Sequence, residues 1–106
     1  METERAARAL AALGHGARLS VFRLLVRAGP VGLTVGEIGR HAGLPPSTLA
    51  HHLGTLVEAG LVTQTREGRR VVNRADFAAM RATLAFLTDA CCTGVGLVAE
   101  SAADTE

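Results

Sequence analysis

The apolar residues of this chain keep a helical period up to Gly60 and change to an alternating one just beyond it. Before the glycine, Leu49, Leu53, Leu56 and Val57 recur at i, i+4, i+7 and i+8, the stripe of a helix packed along one face. After it, Leu61 to Arg66 and Arg69 to Arg74 are rich in Val and Thr, with Glu67-Gly68 between them. That pattern predicts a β-hairpin with a glycine-assisted turn. A chain that passes from a buried helix straight into a short hairpin has few ways to close a core.

The elements before and after this switch are bounded by their own stop signals. Thr3 to Leu13 predicts a first helix, with Ala7, Leu10 and Leu13 on one face and Gly14 and Gly16 at its end. Ala17 to Ala28 predicts a second, with Leu19, Phe22, Leu25 and Val26 marking its buried side and Gly29-Pro30 stopping it. Val31-Gly32-Leu33 reads as a short connector. Thr34 is a good N-cap, with Glu37 three residues on as in a capping box, and Val35, Ile38 and Ala42 form the inner face of a short third helix. Gly43-Leu44 is a tight turn. Pro45-Pro46 opens the fourth helix, where proline is tolerated because the first N–H groups have no intrahelical partner. Asp76 caps a last helix with Phe77, Met80, Leu84 and Leu87 as its apolar seam. The order is helix, helix, helix, helix, hairpin, helix: mainly α with a small β-hairpin.

A short helix, a tight turn, a second helix and then a basic hairpin is the layout of a winged helix-turn-helix, in which the second helix offers its N-terminal residues to base edges. In Pro45 to Leu53 the leucines must point inward, which leaves Ser47, Thr48, His51 and His52 for the outer face. Each can donate a hydrogen bond to a phosphate or a base edge. Arg66 lies on the hairpin, and Arg69 and Arg70 just past its turn, where a wing would reach the DNA backbone or minor groove. Charge is gathered in the same place. Between Arg40 and Arg74 there are five arginines against two acids, whereas the chain from Asp89 onward carries only acids. The same fold can also serve protein contact, a reading that salt-dependent duplex binding would separate from DNA recognition.

At 106 residues the chain fits one domain, small enough that sharing apolar surface in a dimer would stabilise it. We divide it into a DNA-binding and dimerisation domain over residues 1–94 and an acidic, flexible tail over 95–106. No stretch is long and apolar enough to span a membrane, and the start METERAARAL is charged and helical, unlike a signal peptide. The two cysteines are neighbours, so a secreted disulfide framework is disfavoured and a cytoplasmic protein expected. No nucleophile–base pairing, phosphate-binding glycine loop or hydrolase metal spacing stands out, so an enzyme is not expected.

On an ordered set of residues the chain resembles the ArsR/SmtB family of metal-responsive repressors. The set comprises Ala12 to Leu19, Ser47-Thr48, His51-His52-Leu53, Leu56 to Val62 and the Arg66 to Arg70 wing. The resemblance covers roughly residues 4 to 90. It implies a homodimer joined through its first and last helices on twofold-symmetric operator DNA, with no cofactor required for binding. Ser47, Thr48, His51 and His52 would then touch DNA from the recognition helix, and Arg69 and Arg70 from the wing. Pro46 and Ala50 depart from the family, which often has polar residues at those positions.

Cys91 and Cys92 follow the last helix in Thr88-Asp89-Ala90-Cys91-Cys92-Thr93-Gly94. Adjacent thiols close a disulfide only by forcing the peptide between them out of its normal geometry, but they can chelate one soft centre. In the resembled family a vicinal pair at this place looks like the arsenic-sensing variety. The third helix lacks the Cys-x-Cys pair that many members use, and Asp76-Phe77-Ala78 lacks the zinc-site pattern. Trivalent arsenic, as arsenite or an organoarsenical, is therefore the expected inducer, with Cys91 and Cys92 as ligands. Inorganic arsenite is best satisfied by three thiolates and each chain supplies two, so the third position falls to a partner thiol, a hydroxide or an organic substituent. Persulfide or oxidant sensing through the same thiols, and a purely structural role as small apolar residues, remain the alternatives.

Overall fold

The computed structural model describes residues 1–96. Five helices and three strands follow in the order α1 (Thr3–Leu13), α2 (Gly16–Ala28), a 3-10 turn (Gly29–Val31), β1 (Leu33–Thr34), α3 (Val35–Ala42), α4 (Pro46–Glu58), β2 (Val62–Glu67), β3 (Arg70–Ala75) and α5 (Phe77–Thr88). This is a winged helix-turn-helix, with α3 and α4 as the two helices of the motif and β2–β3 as the wing. The expected acidic tail lies, from residue 97 on, outside the described residues.

The core forms where the inner faces of α2, α3 and α4 meet the base of the wing. Val21, Leu25, Ile38, Leu49, Leu53, Leu56 and Leu61 are sealed from solvent. Burying each large aliphatic side chain contributes roughly 1.5–3 kcal/mol, which is why the helical stripe at Leu49, Leu53 and Leu56 dominates the local choice of structure. Only the base of the wing takes part: Val62 is buried, while β2 from Thr63 to Glu67 is exposed.

The sheet has one strand more than the expected hairpin. Leu33 and Thr34 pair antiparallel with Asn73 and Val72, so that β3 lies between β1 and β2. Two residues carry too little pattern to be read as a strand, and the tie comes from the far side of the chain. Asn73 is wholly buried; its Oδ1 accepts from Gln64 Nε2 at 2.8 Å and its Nδ2 donates to the Leu33 carbonyl at 3.1 Å. Gly32 has to be glycine here. Its φ is +71°, and a Cβ would lie 2.7 Å from each of Arg74 Cγ, the Asn73 carbonyl oxygen and Val72 Cγ1.

Three expected buried faces turn out otherwise. In α1 the buried residues are Ala6, Ala9 and Ala12, and Leu10 is exposed. In α2 Leu19 is exposed, and in α5 Leu84 and Leu87 are 57% and 56% exposed. One chain of this size does not have enough structure to cover every apolar stripe. Leu13, Leu19, Phe22, Val26, Met80 and Leu84 instead help line an open depression of ≈330 Å³ between α2 and α5. No single helix among the described residues is long and apolar enough to cross a membrane.

Candidate nucleic-acid interface and thiol pair

The interface is built from the start of α3 upward. Thr34 and Glu37 form a complete capping box: the Glu37 N–H donates to Thr34 Oγ1 at 3.2 Å, and the Thr34 N–H donates to Glu37 Oε1 at 2.8 Å. The backbone and side-chain hydrogen bonds from Thr34 hold the Glu37 carboxyl below the usual carboxylate range, helped by Arg70 and Arg40 and opposed by partial burial. Gly43 ends α3 with its N–H on the Gly39 carbonyl at 2.9 Å. Leu44 and Pro45 then turn the chain into α4.

Proline at the cap and at the first position leaves the α4 N-terminus without a side-chain cap. The first backbone bond into the helix is Leu49 N–H to the Pro45 carbonyl, at 2.9 Å. The N–H groups of Ser47 and Thr48 therefore have no intrahelical partner and lie at the positive end of the helix dipole. Ser47, Thr48 and His51 are exposed, and their i, i+1 and i+4 spacing sets them on one outward face. With their hydroxyls and imidazole, this end of α4 can donate to phosphate or base acceptors.

His52 is not on that face. It is 7% exposed, buried with Leu49, Leu53 and Leu56. The expectation that set it outward is corrected by helix geometry, because a residue three beyond Leu49 and one before Leu53 points into the same core stripe. Its ring centroid is 4.9 Å from that of His15 and 5.9 Å from that of His51. His15 caps α2, its Nδ1 accepting from the Ala17 N–H at 3.2 Å. Sequence reasoning did not separate this role; the signal was a histidine standing immediately before a helix start.

The wing carries Arg66, Arg69 and Arg70 on its exposed surface. Gly68 and Arg69 form the turn between paired Glu67 and Arg70, with Gly68 at φ +67° as a tight two-residue connection requires. The Arg70 guanidinium lies 3.9 Å from Glu37, an exposed pair linking the wing to the cap of α3. Arg74 is directed elsewhere. Its Nε donates to the Pro30 carbonyl at 2.7 Å, its Nη1 to Thr65 Oγ1 at 3.0 Å and its Nη2 to Glu67 at 2.8 Å, so it braces the wing. Arg66 and Arg69 have no carboxylate within 4 Å among the described residues.

Cys91 and Cys92 lie beyond the last turn of α5, both exposed, with their Sγ atoms 2.8 Å apart. Ala90 and Cys92 adopt left-handed backbone conformations at φ 58° and 68°, which cost a residue with a Cβ roughly 1–3 kcal/mol each. The turn is tied by Cys91 N–H to the Thr88 carbonyl at 3.0 Å and by Thr93 Oγ1 to the Ala90 carbonyl at 2.9 Å. The hydrogen bond with Cys92, and secondarily burial, raises the Cys91 pKa. This favours the thiol form of Cys91. No cluster of three or more His, Cys, Asp or Glu side chains is placed to hold a metal ion among the described residues, so the pair supplies two donors and no third.

A family profile described as a helix-turn-helix domain matches residues 13–65. The HTH-type transcriptional regulator YgaV of Escherichia coli (strain K12) is 32% identical over 89 residues, covering 84% of this chain and 88% of that protein. Among solved structures, an ArsR-like transcriptional regulator from Rhodococcus sp. RHA1 is similar with a TM-score of 0.71 and 25% identity, over 79% of this chain and 76% of that one. The homodimeric winged helix-turn-helix DNA-binding domain of Mb0332 from Mycobacterium bovis, a possible ArsR-family regulator, is similar with a TM-score of 0.67 and 29% identity, over 80% and 77%.

Proposed function

The chain belongs to the ArsR family of helix-turn-helix transcriptional regulators, and from that premise we propose that it is a dimeric repressor released from its operator when trivalent arsenic joins Cys91 to Cys92. The observation that carries the ligand half is the convergence of two exposed sulfurs, 2.8 Å apart, at the end of α5. Thiol sulfur selects soft, thiophilic centres, and trivalent arsenic accepts two such donors from one chain. Each As–S bond that forms replaces an As–OH bond, and the thiol proton leaves with the hydroxide as water. The raised Cys91 pKa is compatible with this exchange, because no free thiolate is needed beforehand. A hydroxide, a partner thiol or an organic substituent completes the arsenic.

Ser47, Thr48 and His51 supply the recognition-helix contacts, and Arg66, Arg69 and Arg70 the wing contacts. Two copies joined through α1 and α5 cover the exposed Leu10, Leu19, Leu84 and Leu87 and set their recognition helices about 34 Å apart, one turn of DNA. The thiol pair stands at the end of a helix in this interface, so a ligand that rearranges the turn after Thr88 acts on dimer geometry over a short path. A hundredfold loss of operator affinity requires the ligand to favour the released geometry by about 2.7 kcal/mol.

The test is a fluorescence-anisotropy titration on a labelled duplex from upstream of the protein's own gene, in reductant, with arsenite, an organic trivalent arsenical, zinc or no addition. An arsenical should release wild type and leave a Cys91→Ser/Cys92→Ser protein bound. DNA binding indifferent to every arsenical contradicts the arsenic reading, and persulfides and oxidants then become the ligands to try on the same thiols.

A further inference from the structure

The recognition helix carries an ionisable side chain in its buried stripe. His52 Nδ1 is shielded from solvent and has no hydrogen-bond partner, an arrangement that is tolerable for a neutral ring and costly for a charged one. The ionisable groups acting on the ring are all cationic or become so on protonation: His15 from the turn before α2, Arg18 from α2, and His51 from its own helix. The α1 backbone fixes one of them, since Arg18 Nε donates to the Ala12 carbonyl at 2.7 Å. Glu58 stands six residues further along α4, where it lines a cavity of ≈300 Å³ with Arg8, Arg18 and Thr55. The other elements packed on α4 are α3 and β2, which keep Arg40, His41, Arg66 and Glu67 exposed and hold Glu37 in the Thr34 capping box. An imidazolium at residue 52 would thus be buried among positive charges.

Position gives this consequence for DNA. His52 is one turn from Thr48 and adjoins His51, so whatever seats its ring also sets the pose of the outward face. We infer that His52 is a positioning residue for operator binding: neutral, it seats the recognition helix against the His15 turn, and on taking up a proton it unseats that helix and weakens DNA binding. The inference rests on the reading of α4 as the DNA-contacting helix.

Burial first, and then His15, Arg18 and His51, hold the His52 pKa below the ordinary imidazole value near 6.5. The sign follows. Well above that value the ring is neutral whether the chain is folded or not, and nothing is lost. As the pH falls below it, the unfolded chain takes up the proton first, so stability declines until the folded ring is protonated too. The operator-competent pose, which holds the ring most tightly, is disfavoured over the same acid range. His51 works in the opposite direction, because its exposed ring gains attraction for phosphate when it charges.

The experiment separates the two histidines in the full-length protein. Ring resonances of wild type are followed by NMR from pH 8 to 5, and operator affinity is measured by anisotropy at pH 7.5 and 5.5 for His51→Gln and His51→Gln/His52→Gln. The expected result is a His52 ring that titrates below the ordinary imidazole value near 6.5, with a several-fold loss of affinity on acidification in His51→Gln. In the double variant the loss should shrink to less than about twofold. A His52 ring titrating at or above the ordinary imidazole value overturns the inference, as does a flat or rising affinity in His51→Gln on acidification. Should the double variant fail to fold, the ring titration and the His51→Gln profile decide. Absence of duplex binding by the wild-type protein, titrated alongside at pH 7.5, overturns the DNA reading itself, whereas binding with a flat profile in His51→Gln overturns only the role of His52.

Discussion

Thr34 joins three parts of the molecule at one residue: it ends β1, caps α3 and holds the Glu37 carboxylate that faces Arg70 on the wing. Thr34→Ala should cost about 1 kcal/mol in urea denaturation, the usual worth of an N-cap hydroxyl. The pH dependence of stability should change with it. A carboxyl whose pKa is lowered on folding stabilises the folded state above the ordinary carboxylate range and loses that contribution as the pH falls through its folded pKa. In Thr34→Ala this acid-dependent part of the stability should diminish. Gly32→Ala is the more severe change. It combines a positive φ with three contacts at 2.7 Å and should cost more than about 2 kcal/mol by the same measurement. Of these two positions only the capping box was legible in the sequence, because its partners are three residues apart. Gly32 owes its constraint to Val72, Asn73 and Arg74, forty residues away, and nothing local announces that. His52 was misassigned for a related reason: polarity suggested solvent, while the helical period placed it in the core.

Elements were easier to read than the contacts between them. The expected spans of α1 and α2 agree with the structure to within a residue, and the expected starts of α3, α4 and α5 fall at their caps, since each is bounded by a cap, a glycine or a proline. The strand β1 was missed because its two residues are held by pairing with β3 and by Asn73. Five arginines that look alike in sequence terms, four of them on the wing, divide by geometry. Arg74 is consumed as a brace, Arg70 faces Glu37, and Arg66 and Arg69 are left to solvent, while Arg40 belongs to the last turn of α3. Arg66→Ala and Arg69→Ala should therefore weaken binding about equally on all duplexes and each lower the slope of log affinity against log salt by about 0.9. Arg74→Ala should instead lower thermal stability through loss of three hydrogen bonds that span Pro30, Thr65 and Glu67. Anisotropy over a salt series, with a melting curve for each variant, distinguishes these outcomes.

At the scale of the whole molecule, the exposed leucines are the main departure from a self-sufficient domain. Leu10, Leu19, Leu84 and Leu87 are exposed, and the helical periods that suggested buried faces were reporting a surface that one chain does not cover. Leu84→Glu, which puts a charge in the lining of the ≈330 Å³ depression, should give a folded monomer in sedimentation with strongly reduced affinity for a twofold-symmetric duplex. A dimer of unchanged stability would place the interface elsewhere. The proposed arsenic ligand and the inferred proton at His52 would both act on a DNA-bound dimer, and so both proposals depend on sequence-selective duplex binding. That is measured most directly by titrating the wild-type protein, in reductant at pH 7.5, onto the upstream duplex and onto a scrambled duplex of the same composition, across a series of salt concentrations. Binding should be tighter to the upstream duplex at every salt concentration, with a steep loss of affinity with salt on both. Equal affinity for the two duplexes, or affinity that does not change with salt, would contradict operator recognition by this chain.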